Sequence, residues 1–283
     1  MAKRTRKKER FTLLIYLILS IVILSILYRY KPFVDIQKLI FADNEKSVVT
    51  APIPIPLKSL EVPILVYHYV ENVTDLRDTI RKSLNTNPQI FIKQIETLKN
   101  AGYTFITPRE LMDIMDGKMF RPKKPVILSF DDGYRDFYTD VFPILKKYQA
   151  KAVAYIVSGF LDKPNYMFTS ELKEIAKSGL VEIGAHTTEH ISLKGISLDV
   201  AKNEIEKSKK ALEKLLNISI VSFAYPDGQF DDQSAKLVQD AGFRSAASTI
   251  HGLDVNHENK YFLYRIHPGE NIDDYLINFL ERK

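Results

Sequence analysis

The sequence predicts an α/β protein, a barrel of seven or eight parallel strands with helices outside it. Two observations lead there. From Glu61 onward, short apolar runs alternate with longer amphipathic stretches, strand with helix, to the end of the chain. The chemically capable residues also recur just after the apolar runs, at the strand C-terminal ends where a parallel barrel assembles its loops into a site. Residues 63–70, PILVYHYV, read as the first strand. A helix over 88–101 starts on Pro88 and stops at Gly102, as helices commonly do. A short strand at 103–106 and a helix at 108–115 follow, then strand 126–130, helix 137–148 and strand 152–157. Helix 170–177 ends before Gly179 and leads into strand 181–185. Residues 198–216 show strong 3.6-residue periodicity and precede strand 221–225. Helix 233–241, strand 244–248, strand 262–266 and helix 272–280 complete the chain.

The chain has 283 residues, 45% of them hydrophobic, enough for a real core. It has no cysteine, so disulfides are excluded and any metal site must use nitrogen and oxygen ligands. The net charge of +5 is local. Residues 1–10, MAKRTRKKER, hold six basic and one acidic residue, leaving 34 of each sign in the remainder (40−6 and 35−1). The body therefore lacks the basic bias of a nucleic-acid binder, and no nucleic-acid partner is expected.

Residues 11–28, FTLLIYLILSIVILSILY, carry no charge. As a helix they would reach roughly 27 Å, close to the hydrocarbon thickness of a bilayer. The basic tail at 1–10 places the N-terminus in the cytoplasm and the rest outside. No small-residue cleavage site follows, so an uncleaved signal anchor is expected rather than a removed signal peptide. Residues 29–60 read as an extracytoplasmic stem, its second half spaced by prolines that favour extended backbone. The catalytic domain is expected over 61–283.

The chemistry concentrates in two strings. PVILSFDDGY ends a strand on Asp131, Asp132 and Gly133; VEIGAHTTEH ends another on His186 and His190. Each alone has an ordinary reading, a turn or helix cap for the first and solvated loop histidines for the second. Together, one Asp and two His form a typical ligand set for a catalytic divalent metal, and the remaining Asp can serve as a base. HTTEH also fits the H-x-x-E-H peptidase pattern, which needs a helix; the β-type run before it and two threonines within it disfavour one. Tyr225-Pro226-Asp227-Gly228 and His267 follow later apolar runs, and His68 lies in the first.

SFDDG, HTTEH and FAYPDG, in that order, resemble the polysaccharide deacetylases, the NodB-homology or carbohydrate esterase family 4 enzymes. The resemblance covers about 125–283, and VPILVYHYV extends it to Glu61 through likeness to the biofilm poly-N-acetylglucosamine deacetylase branch. It implies a distorted (β/α) barrel and metal-dependent removal of N-acetyl groups from a cell-surface or biofilm glycan, or from peptidoglycan. A catalytically silent glycan-binding domain is the alternative of another class. Carried over, Asp131 is the general base and Asp132, His186 and His190 hold the metal. Zinc is the expected ion, and cobalt, nickel or iron also suit the set. Asp227 offers its backbone N–H to the oxyanion. The family's third motif usually has Arg where this chain has Ala224, so base orientation by that Arg is lost. RIHPG offers His267 as general acid, or Arg265 in the manner of the biofilm branch; His68 is a second candidate. Without tryptophan, Tyr134, Tyr138 and Tyr225 are the expected platforms for sugar stacking.

Overall fold

A computed structural model describes residues 17–23, 25, 54–73, 75 and 77–281. The chain falls into two units, Met1–Ile53 and Pro54–Lys283. In the first, residues 17–23 and 25 are helical and exposed. The remainder of the expected 11–28 span, the basic tail and residues 29–53 of the stem lie outside the described residues. Among the described residues no helix is long and apolar enough to cross a membrane.

In the second unit, seven parallel strands form a nearly closed barrel. They are β2 (Ile64–Tyr67), β4 (Pro125–Phe130), β5 (Ala152–Ile156), β6 (Val181–Ala185), β7 (Ser222–Ala224), β8 (Ser245–His251) and β10 (Leu263–Arg265). The ring closes between its first and last strands: Val66 N donates to Ile266 O at 2.9 Å and Ile266 N to Ile64 O at 2.8 Å. β3 (Thr104–Phe105) pairs with the start of β4. An antiparallel pair, β1 (Ser59–Glu61) with β9 (Asp254–Asn256), was not expected from the sequence. Residues before it also pack on the barrel, with Leu57 N bonded to Met115 O at 3.0 Å.

Eight helices accompany the strands among the described residues of this unit: α1 (Thr79–Leu84), α2 (Pro88–Asn100), α3 (Pro108–Met115), α4 (Phe142–Tyr148), α5 (Thr169–Lys177), α6 (Leu198–Leu216), α7 (Asp232–Asp240) and α8 (Asp273–Leu280). Their starts carry the expected chemistry. Thr107 and Glu110 close a reciprocal capping box on α3, and Ser197 accepts from Val200 N on α6. The expected helix over 137–148 is divided. Phe137–Val141 forms a π turn, with Phe142 N bonded to Phe137 O, before α4 begins. Pro143 has no N–H to give to the carbonyl four residues back, so the ladder shifts register there.

The strands are buried on both faces, and successive residues serve two different cores. Ile64, Ile127, Val153, Tyr155, Ala224 and Leu263 pack together inside the barrel. Leu65, Leu128, Phe130, Ala154 and Phe223 face the helices. This two-residue period places the site, because the residues that continue the interior set past Ile127 and Leu263 are Ser129, Asp131 and Arg265.

Candidate active site

The site forms at the C-terminal ends of the strands. Asp131 and Asp132 follow β4, His186 follows β6, the Tyr225–Gly228 turn follows β7, Arg265 ends β10 and His68 follows β2. Asp132 leaves the strand with φ 74°, and Gly133 continues at φ 79°. Such backbone is unusual for aspartate and easy for glycine, and it turns the Asp132 carboxylate sideways, out of the pleat that carries Asp131.

Asp132, His186 and His190 offer ligand atoms that all lie within 4.8 Å of one another. His186 Nε2 is 3.3 Å and His190 Nε2 3.0 Å from Asp132 Oδ1. That oxygen is buried and receives no hydrogen bond. His186 Nδ1 donates to the Ala224 carbonyl at 2.7 Å, so in the neutral ring Nε2 carries a lone pair. A lone pair aimed at a buried, unpartnered carboxylate oxygen calls for a cation between them, and the backbone bond is the outer support that metal-binding histidines usually have. The residues therefore fit a divalent ion with N₂O ligation. Burial alone would raise the Asp132 carboxyl; its pairing with His186 and His190 wins and holds it well below the usual range. Pairing with Asp132 raises the His190 imidazole against its partial burial. The HTTEH segment is not helical, with Thr187 at φ 63° and His190 at φ 54°, so the peptidase geometry is absent.

Asp131 is gripped at both oxygens. Arg265 Nη1 donates to Oδ1 at 2.8 Å and Nη2 to Oδ2 at 2.7 Å, a two-pronged pair whose side chains are 0% and 3% exposed. Arg265 also donates through Nε to Ser248 O at 2.7 Å. Burial pushes the Asp131 carboxyl up, and the charge and hydrogen bonds of Arg265 more than offset this, leaving it below its ordinary range. The expected loss of base orientation at Ala224 is thus corrected. The guanidinium arrives from the last strand, on the interior side of the pleat. Period-two counting from Leu263 was the signal in the sequence that could have found it.

The two histidines considered as general acid are placed differently. His68 is half-buried, with Nε2 3.9 Å from Asp131 Oδ2. His267 is exposed, and its Nδ1 accepts from Gly269 N at 3.1 Å. Its imidazole is partly desolvated, which together with the nearby His68 lowers its pKa.

The expected sugar platforms need correction. Tyr225 is wholly buried, donates to Tyr261 O at 2.8 Å and stacks on Phe230, so it is a core residue. Tyr138 bonds Glu174 at 2.8 Å and stacks on Phe142 of α4. Tyr134 does adjoin the site, but its ring is stacked on Tyr69 and Tyr166. Pro226 is buried, and exposed Asp227 sits at φ 55° with its charge close enough to act on His190. A cavity of about 280 Å³ beside Arg109, Lys151 and Val181 lies at the opposite, N-terminal ends of the strands and has no part in this cluster.

Comparison with known proteins agrees with this geometry. The family description "Polysaccharide deacetylase" matches residues 118–246. A Staphylococcus aureus poly-beta-1,6-N-acetyl-D-glucosamine N-deacetylase is 27% identical over 96% of this chain and 96% of its own length. The solved Streptococcus pyogenes deacetylase PplD, in complex with acetate, is 31% identical with a TM-score of 0.72, covering 78% of this chain and 97% of that one. IcaB from Ammonifex degensii, at 21% identity and a TM-score of 0.68 over 81% of this chain and 98% of its own, shares the fold.

Proposed function

The chain belongs to the polysaccharide deacetylase family, hydrolases of N-acetyl groups on glycans, and from that premise we propose that it deacetylates poly-N-acetylglucosamine outside the cell. The observation that carries the reading is the carboxylate Asp131, locked by Arg265 beside the Asp132–His186–His190 triad. A silent glycan-binding domain has no need of an oriented base next to a metal-binding cluster. The substrate follows the curated relative that matches along nearly the whole chain, and the likeness of VPILVYHYV to the biofilm branch supports it.

Asp132, His186 and His190 would hold the ion, zinc by the donor chemistry, with cobalt, nickel or iron compatible. When bound, it would supply Lewis-acid polarisation of the acetamide carbonyl and acidify a water. Asp131, kept ionised and oriented by Arg265, accepts the proton of the attacking water. The Asp227 backbone N–H is the chain's own donor to the oxyanion, a contribution of roughly 3 kcal/mol in comparable sites. His68, nearest to Asp131 among the candidate acids, returns a proton to the departing glucosamine nitrogen; exposed His267 is the second candidate. Acetate and a free amine result.

The uncharged run at 11–28 behind a basic tail supports a single-pass anchor, with the N-terminus cytoplasmic and the catalytic domain outside. Protease added to intact cells is expected to remove the domain and leave the tail protected.

The test of function is acetate release by the full chain in detergent, after chelation and metal add-back. Poly-N-acetylglucosamine oligomers and peptidoglycan are the substrates. Metal-dependent release from the oligomers is expected, and Asp131→Asn should lower it by roughly 10²–10⁴-fold. Metal binding without acetate release from either polymer would favour the silent domain instead.

A further inference from the structure

An exposed aromatic ring stands on the loops at the catalytic end of the barrel. Phe168 is 40% exposed and ends the segment that joins β5 to α5. That segment is tied to the site. Met167 N donates to Gly133 O, next to Asp132, at 3.1 Å, and Arg135 N to Asn165 O at 2.9 Å. The ring is supported from one side, where the Arg135 guanidinium lies 4.3 Å from its centroid. Buried Glu171 holds both residues. Its Oε1 accepts from Arg135 Nε and Nη2 at 3.0 Å each, and its Oε2 from Phe168 N at 2.9 Å. The ring is thereby fixed in orientation, with its exposed side turned away from Arg135.

The same arginine leads into a cavity. Its volume of about 320 Å³ falls in the range of small-ligand sites, and its lining includes Glu71, Arg81, Arg135, Thr139, Asp140 and Asn165. Asp136 also lines it and is engaged by Val70 N. Charge there is largely cancelled, since Arg81 pairs with Glu71 and Arg135 with Glu171. Hydrogen-bonding capacity of both kinds remains. Among the described residues, Arg135 Nη1 and the Asn165 side-chain amide have no hydrogen-bond partner. Asp140 receives one bond, from Thr139 Oγ1 to Oδ2 at 2.6 Å, which leaves Oδ1 open. A hydroxyl both donates and accepts, so a mixed lining of this kind suits a ligand rich in hydroxyls. An ammonium or a phosphate would meet charges of both signs instead.

We propose that Phe168 and the cavity beside Arg135 form a subsite for a sugar unit of the glycan beyond the one that bears the scissile acetamide. The Phe168 ring stacks on the apolar C–H face of that sugar, and Arg135, Asp140 and Asn165 bond its hydroxyls. This rests on the deacetylase reading. Only a substrate long enough to reach both places gains from the subsite, so chain length separates this role from a structural one. A ring that merely packed its loop would affect short and long substrates alike.

The experiment uses the full chain in detergent and two β-1,6-linked N-acetylglucosamine oligomers, a dimer and a hexamer. Wild-type chain is expected to have the lower KM for the hexamer. Phe168→Ala should raise the hexamer KM about tenfold, with the dimer KM within about twofold and kcat for both within about threefold of wild type. Phe168→Tyr keeps the ring and should keep the wild-type hexamer KM. The double variant Asp140→Ala, Asn165→Ala should also raise the hexamer KM and spare the dimer. An equal rise for dimer and hexamer overturns the proposal, because it would mean a loosened site. So does an unchanged hexamer KM in Phe168→Ala, or a wild-type chain that does not distinguish the two lengths. Wild-type chain that releases no acetate from either oligomer removes the deacetylase reading itself, and this proposal with it.

Discussion

Asp131 shows how closely a buried carboxylate depends on its partner. Two fully desolvated groups of opposite charge face each other through two parallel hydrogen bonds. Removing one partner of such a pair leaves the other buried and charged. Arg265→Met is therefore expected to destabilise the fold by about 3–5 kcal/mol, read from urea unfolding. Arg265→Lys keeps the charge and loses the fork. It should lower kcat at least tenfold while metal content, measured by elemental analysis, stays at wild-type stoichiometry. A second buried carboxyl, Asp136, behaves differently. Burial raises its pKa to about 7, against the bond it accepts from Val70 N and with help from Glu71 and Asp140. Between its ordinary 3.8 and about 7 the folded chain holds a proton that the unfolded chain has lost, so stability falls as pH rises through that window and levels off above it. Asp136→Asn keeps an oxygen for Val70 and has no proton to lose. Its Tm should be nearly flat across that window where the wild-type value declines.

At the scale of elements, local chemistry was readable wherever the chain carried its own boundary marks. Helix α3 begins on Pro108 after a threonine cap and needs nothing distant to specify its start. Glu110 N donates to Thr107 Oγ1 at 3.3 Å, and Thr107 N to Glu110 Oε2 at 3.0 Å. Thr107→Ala should cost about 1 kcal/mol in unfolding free energy with catalysis unchanged, because α3 approaches the far end of the barrel from the site. Elements without such marks were missed. Helix α1 buries no residue and so has no apolar stripe to read. β1 and β9 are three residues each, and their pairing joins Ser59–Glu61 to Asp254–Asn256, almost two hundred residues away. The break at Phe137–Val141 was legible in principle, since Pro143 stands inside the expected helix.

For the whole molecule, the decisive event is closure. The main-chain bonds of Ile266 to Ile64 and Val66 bring the first and last strands of the ring together, and with them Arg265 and His68 beside Asp131. A ligand that binds only this closed form stabilises it by mass action, by about 2.7 kcal/mol at a hundred times its Kd. Chelation should accordingly lower the Tm of wild-type chain, and zinc should restore it. His190→Ala should abolish that response while still folding. Equal Tm values with and without zinc in the wild type would remove His190 and its two partners as the metal site.

The alternation of strand and helix, the strand ends at which chemistry collects, and the Asp132, His186 and His190 trio that could hold a metal ion were legible in the sequence. These are short-range properties, carried by periodicity and by residues within a few positions of a strand end. Which guanidinium pairs with Asp131, which of two histidines stands near it, and that the Tyr134 ring is stacked between two others were decided by tertiary structure. Arg265 and Asp131 are 134 positions apart, and the Tyr69, Tyr134 and Tyr166 rings come from three separate loops. Only barrel closure and loop packing bring such groups within hydrogen-bonding and stacking distance, and a local pattern cannot record a contact that closure creates.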